Sequence, residues 1–149
     1  MKLMRKVFEI DEDEMKKLKK YSGGLQADLA IKMKLEDPAG CVCVEDYFPG
    51  TATARLGYRH PEIHIVLKGK AEIEYATTYG YGDWIKKKFI AEPGDAYFMD
   101  LGDQVSFKVL SDEVFRHLCI FMPAAPFAAR PKPENEPQFF YNQYLTKGG

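Results

Sequence analysis

From about Leu25 to Met122 the chain alternates apolar and polar residues with a period of two, and turn residues break the alternation repeatedly. Successive side chains of a β-strand point to opposite faces, so this pattern suits strands with one buried face and does not suit a helix of period 3.6. The segments that carry it are Leu29–Leu35, Cys41–Tyr47, Thr51–Gly57, Ile63–Lys68, Ala71–Thr77, Trp84–Ala91, Ala96–Asp100, Val105–Leu110 and Val114–Met122. Between them lie Asp37-Pro-Ala-Gly40, Pro49-Gly50, Lys68-Gly69, Pro93-Gly94 and Ser111-Asp112, residues that favour turns. Many short strands with frequent turns predict an antiparallel sandwich or barrel, not a parallel sheet with crossover helices. No internal repeat and no glycine-rich phosphate loop interrupts this region.

The two ends differ. Residues 10–21 read as a helix: Ile10, Met15, Leu18 and Tyr21 form a loose stripe, acids fill the first turn and lysines the last. That order complements the helix dipole, and Ser22-Gly23-Gly24 ends the element. Beyond 122, prolines at 123, 126, 131, 133 and 137 forbid helix and central strand, which predicts an extended arm. The arm leads to Phe139-Phe-Tyr-Asn-Gln-Tyr144, an aromatic run suited to docking on its own domain or on a neighbouring subunit. A homodimer through a barrel edge or this arm is the corresponding expectation. The chain is 149 residues long and 46% hydrophobic, enough for one core. It therefore reads as one domain: a helix and lead-in at 1–24, a barrel at 25–122 and an arm at 123–149.

A net charge of −1 offers no broad basic field for nucleic acid or an anionic membrane. No apolar run approaches the roughly 20 residues of a spanning helix. The acidic run Asp11-Glu12-Asp13-Glu14 stands where a secretory leader would be apolar. Three cysteines, at 41, 43 and 119, cannot close into paired disulfides. A soluble cytoplasmic protein is expected. Cys41 and Cys43 share one face of a strand and read as core residues, because no second Cys-x-Cys pair completes a thiolate site.

Chemistry concentrates in Tyr58-Arg-His-Pro-Glu-Ile-His-Ile-Val-Leu-Lys-Gly69. In an extended chain His60, Glu62, His64 and Val66 project to one face, and Pro61 perturbs His60 more than the Glu62/His64 pair. Two imidazoles and a carboxylate on one face suit either a divalent metal or acid–base chemistry, and both readings stand. Arg55 and Arg59 could hold a ligand carboxylate or phosphate, or pair with Glu62. Tyr58 and His60 would line the entrance, Tyr97 would contact ligand, and Asp100, Asp103 or Gln104 could add an oxygen. His117 reads as a surface or subunit contact. Lys86-Lys-Lys88 reads as a solvated edge strand, and Tyr79-Gly-Tyr-Gly-Asp-Trp84 as a hairpin connection or pocket lid.

The stretch Glu62-Ile-His-Ile-Val-Leu-Lys-Gly69 resembles the first motif of the cupin superfamily, and Pro93-Gly94-Asp95-Ala-Tyr-Phe-Met99 with Gly102 resembles the second. Glu62-x-His64 and Glu74-Tyr75 are similar to the YhcH-like branch, which includes the small subunit of an evolved β-galactosidase. The resemblance covers about residues 54–123 and implies an all-β, cupin-type antiparallel jelly-roll barrel. It implies a sugar or hydroxylated acid metabolite in the barrel mouth and proton-transfer chemistry of an isomerase, epimerase or lyase in carbohydrate metabolism. His64 would be the acid or base, with Glu62 orienting it. It also implies a divalent ion (Zn, Mn, Fe or Ni) on His60, Glu62 and His64. The usual His-x-His ahead of the glutamate is replaced by Arg55-Leu-Gly-Tyr58, and no histidine lies between residues 65 and 116. A metal-free pocket, a non-catalytic binding cupin or accessory subunit, and a metal-dependent dioxygenase are the alternatives.

Overall fold

The structure is a computed structural model; it describes residues 3, 5–37, 40–57, 61–77, 85–100 and 103–121. The elements in chain order are α1 (Glu12–Lys17), β1 (Lys20–Ser22), β2 (Ala27–Asp37), β3 (Gly40–Tyr47), β4 (Leu56–Gly57), β5 (Glu62–Lys68), β6 (Ala71–Thr77), β7 (Ile85–Ala91), β8 (Ala96–Met99), β9 (Gln104–Val109) and β10 (Phe115–Phe121). They form two antiparallel sheets, one ordered β1-β2-β3-β10-β5-β8 and the other β4-β9-β6-β7. The neighbours are mostly distant in sequence, as in a jelly roll.

The predicted alternation sets which face is buried. Leu29, Tyr47, Val66 and Phe115 from the first sheet meet Ile73, Val105 and Phe107 from the second, and all are buried. Gly69 makes the corner between β5 and β6. Its φ is +74°, and a Cβ there would lie 2.2 Å from the carbonyl oxygen of Val114, so only glycine fits the bend. A register shift between Arg116 and His117 opposite β5 leaves Leu67 without a Cα partner, which turns Lys68 outward. There its ammonium lies 3.8 Å from Glu12.

The outer face of the first sheet is also covered. Helix α1 is capped by Asp11, whose carboxylate accepts from the amides of Asp13 and Glu14, and it buries Met15. Ile10, Leu18 and Val7 pack with Met15 over Val44 and Leu118. Arg116 fastens the helix to the sheet: it donates to Asp46 at 2.6 and 2.7 Å and to Glu12 at 2.6 and 3.0 Å. These contacts hold Arg116 firmly protonated and the Glu12 carboxyl below its ordinary range, through the hydrogen bond to Arg116 first.

Two sequence expectations need correction. The helix spans Glu12–Lys17 and not 10–21, because the chain turns at Leu18 to add β1 beside β2; Tyr21 sits on that edge strand, 65% exposed. Only Leu56–Gly57 of the expected strand Thr51–Gly57 is strand. The rest meets β9 irregularly: the amide of Thr53 donates to Phe107, but that of Ala54 donates to Leu25 instead. β7 is an edge strand, as expected, and Lys86, Lys87 and Lys88 are all exposed on it. The C-terminal arm and the Tyr79–Trp84 loop lie outside the described residues.

Candidate functional site

The inner face of the first sheet carries polar side chains at its centre. Cys43, Cys119, His64 and Tyr97 form one cross-strand row over β3, β10, β5 and β8. Glu45 and His117 are partners in the next row, and Glu62 lies beside Phe121 in the row on the other side. The strand period alone thus brings four strands' worth of chemistry to one place. Glu45, Glu62, His64 and His117 are each at most 1% exposed.

Burial of polar groups requires partners, and they are present. His64 Nε2 lies 2.8 Å from Glu62 Oε2, and its Nδ1 lies 3.2 Å from the Tyr97 hydroxyl. His117 Nε2 lies 3.0 Å from Glu45 Oε2, while its Nδ1 has no hydrogen-bond partner among the described residues. The two imidazoles stack with centroids 4.2 Å apart, 19° from parallel. Burial first, and then the charge of Glu45, hold the Glu62 carboxyl well above the carboxylate range. Burial likewise pushes the Cys43 thiol up to about 12, and raises Cys119 and the Tyr97 phenol well above their ordinary values. A protonated Glu62 fixes the tautomer of its neighbour. Its O–H would donate to His64 Nε2, so His64 would carry its proton on Nδ1 and donate to Tyr97.

Tyr97 joins this buried chain to a cavity of about 230 Å³ between the sheets, also lined by Tyr75, Phe89, Met99, Asp103 and Val105. Phe89 packs edge-on against Tyr97 and Tyr75. The only charged side chain in this described lining is Asp103, which accepts from the amide of Asp100 at 2.9 Å.

Of the sequence-derived site, the structure brings together Glu62, His64 and Tyr97. Arg55 does not join them: it pairs with Glu74 on the surface, and Glu62 pairs with His64 instead of with Arg55. Asp100 is exposed in the turn ahead of β9 and does not line the cavity. Tyr58, Arg59 and His60 lie outside the described residues. His117 is fully buried inside the barrel, not a surface contact, because both faces of β10 are covered. Glu45, Cys43 and Cys119 belong to the same cluster and were passed over as site residues. Their signal was that Cys41, Cys43, Glu45 and Tyr47 share one face of β3, which puts a carboxylate where the pattern demands an apolar residue.

Two sets of side chains could hold a metal ion, with donor atoms all within 4.8 Å of one another: His64, His117 and Cys119, and Cys43, Glu45 and Cys119. Of the expected trio, His60 lies outside the described residues. Among the described residues no third His, Cys, Asp or Glu converges with Glu62 and His64. The stacked imidazoles of the first set do not suit one shared ion, because a nitrogen lone pair lies in its ring plane. An ion between near-parallel rings would sit about 2 Å out of both planes, whereas zinc binds in plane at about 2.0–2.1 Å.

No family model and no curated protein matches this sequence. Solved structures do. The Schizosaccharomyces pombe Cnp3 cupin domain matches at TM-score 0.54 and 16% identity, over 64% of this chain and 61% of that one. The Clostridium difficile EutQ protein matches at TM-score 0.53 and 18% identity, over 73% and 79%. The vicilin from Solanum melongena matches at TM-score 0.59 and 17% identity, over 74% and 31%. The chain thus spans under two thirds of the Cnp3 domain and about a third of the vicilin chain. No helix among the described residues is long and apolar enough to cross a membrane. Two antiparallel sheets in this strand order, with likeness to cupin domains along most of the chain, establish the fold as the all-β cupin jelly roll.

Proposed function

We propose that the protein binds a small hydroxylated metabolite of sugar type in the cavity beside Tyr97 and transfers a proton to it. The observation that carries this reading is the dual placement of Tyr97, which lines the cavity and bonds through its hydroxyl to His64. The chain Glu62–His64–Tyr97 then works as a relay. Ligand takes the Tyr97 proton, Tyr97 takes the proton on His64 Nδ1, and His64 Nε2 takes the proton of Glu62. The phenol never stands as a free anion, which matters because its own acidity is suppressed.

Aromatic walls and one carboxylate favour an uncharged polyol over an anion. The Solanum melongena vicilin holds different anionic ligands in structurally similar pockets. That supports a ligand pocket on this fold; the anionic class is not carried over, since Arg55 is engaged with Glu74. A second reading, a binder without catalysis, is favoured by the depth of Glu62 and His64, which reach ligand only through Tyr97.

Saturation-transfer NMR with glucose, galactose, mannose, fucose and rhamnose reads binding, and exchange spectroscopy on the same samples reads anomer interconversion. The expected result is exchange above the buffer blank, returning to the blank in Tyr97→Phe while saturation transfer persists. Binding without acceleration would select the binder. Absence of saturation transfer from every sugar would overturn the ligand class.

A further inference from the structure

The inner faces of β3 and β10 hold a two-by-two patch that neither the relay nor the cavity uses. β3 contributes Cys43 and Glu45, and β10 contributes His117 and Cys119; Cys43 faces Cys119 and Glu45 faces His117 in register. All four side chains are buried. We propose that this patch is a binding site for one thiophilic divalent cation of the zinc type, held by the two cysteine sulfurs and the Glu45 carboxylate, with His117 steadying that carboxylate through Nε2. None of these four belongs to the set that the motif resemblance assigns.

The donor chemistry is the first argument. Two thiolates and one carboxylate, from two strands paired in register, are ligand types that zinc takes. The spacing is the second. Zinc–sulfur and zinc–oxygen bonds of about 2.3 and 2.1 Å at a tetrahedral angle put sulfur and oxygen about 3.6 Å apart. Cys43 Sγ lies 3.9 Å from Glu45 Oε1, and the sulfurs of Cys43 and Cys119 lie within 4.8 Å of each other and of Glu45. Third, His117 Nε2 lies 3.0 Å from Glu45 Oε2, and this imidazole orients the carboxylate toward the sulfurs. Binding expels the two thiol protons to solvent. Because the patch is enclosed, the ion enters during folding.

The full chain, unfolded and stripped with a chelator, is refolded with cobalt(II), and zinc is measured in the protein as purified without added metal. The expected results are about one zinc per chain and thiolate-to-cobalt charge-transfer absorption in the near ultraviolet, both kept in Cys41→Ser and lost in Cys43→Ser and Cys119→Ser. Wild-type protein that refolds by circular dichroism but gives no charge-transfer band overturns the site, whatever the variants do. A band that survives Cys43→Ser, or a Cys43–Cys119 disulfide found by mass spectrometry of the native chain, overturns it as well.

Discussion

Replacing Glu62 with glutamine tests the protonation on which the relay depends. The amide of glutamine has nearly the shape of a protonated carboxyl and can donate to His64 Nε2 as the acid does, so packing is conserved. What changes is the linkage to pH. Glu62 is 1% exposed and its folded carboxyl titrates well above the ordinary range, by burial first and the charge of Glu45 second. A group raised on folding contributes stability that is complete below its unfolded pKa, about 4.3, and is lost as pH rises through the folded value. Between those limits the folded chain holds one more proton than the unfolded chain, and each pH unit removes about 1.4 kcal/mol. Glutamine has no such loss. Urea unfolding of wild type and Glu62→Gln from pH 5 upward should show their stability difference moving in favour of the variant by about 1.4 kcal/mol per pH unit, levelling at the folded pKa. Parallel profiles over that range would refute a protonated Glu62 and, with it, the tautomer assigned to His64.

Three further outcomes follow from the packing. Arg116→Met leaves Asp46 buried without its partner and should cost about 3–5 kcal/mol, a fall in Tm of roughly 6–20 °C; Arg116→Met with Asp46→Leu should recover most of it in the same melt. Gly69→Ala should cost about 1–3 kcal/mol for left-handed backbone alone, and more for the overlap with Val114, read as a lower denaturation midpoint in urea. Glu12→Gln should be modestly less stable than wild type near neutral pH, the loss kept small because Glu12 is 52% exposed. Because Arg116 depresses the Glu12 carboxyl, wild type's advantage over that variant should close as pH falls through the folded value, and a difference independent of pH would contradict this.

The strand pattern was legible wherever one sheet face meets the core. β6 runs over Ala71–Thr77 as read, and β9 and β10 differ from expectation by a residue at each end. Glu62 and His64 share the inner face for the same reason. The reading failed where a strand is covered twice. Every residue of β3 from Cys41 to Tyr47 is buried, and so is β10 from Phe115 to Cys119. On such strands a charged neighbour no longer signals solvent: Arg116 faces α1 and Asp46, and His117 faces inward beside it. Local sequence does not announce that a helix about a hundred residues earlier will cover β10. Strand β1 was missed because its stability comes from pairing with Ala27–Leu29, not from any alternation of its own.

The stacked imidazoles have a spectroscopic consequence. His64 lies over His117 and near the faces of Phe107 and Tyr97, while His117 also borders Tyr47 and Phe115. Ring currents from so many neighbours displace the carbon-bound protons of both imidazoles from the positions of solvent-exposed histidine. In a chain with three histidines, two such resonances are readily singled out. One reports from beside the cavity through Tyr97 and the other from beside Glu45 and Cys119, so a single proton–carbon spectrum follows these two parts of the barrel independently.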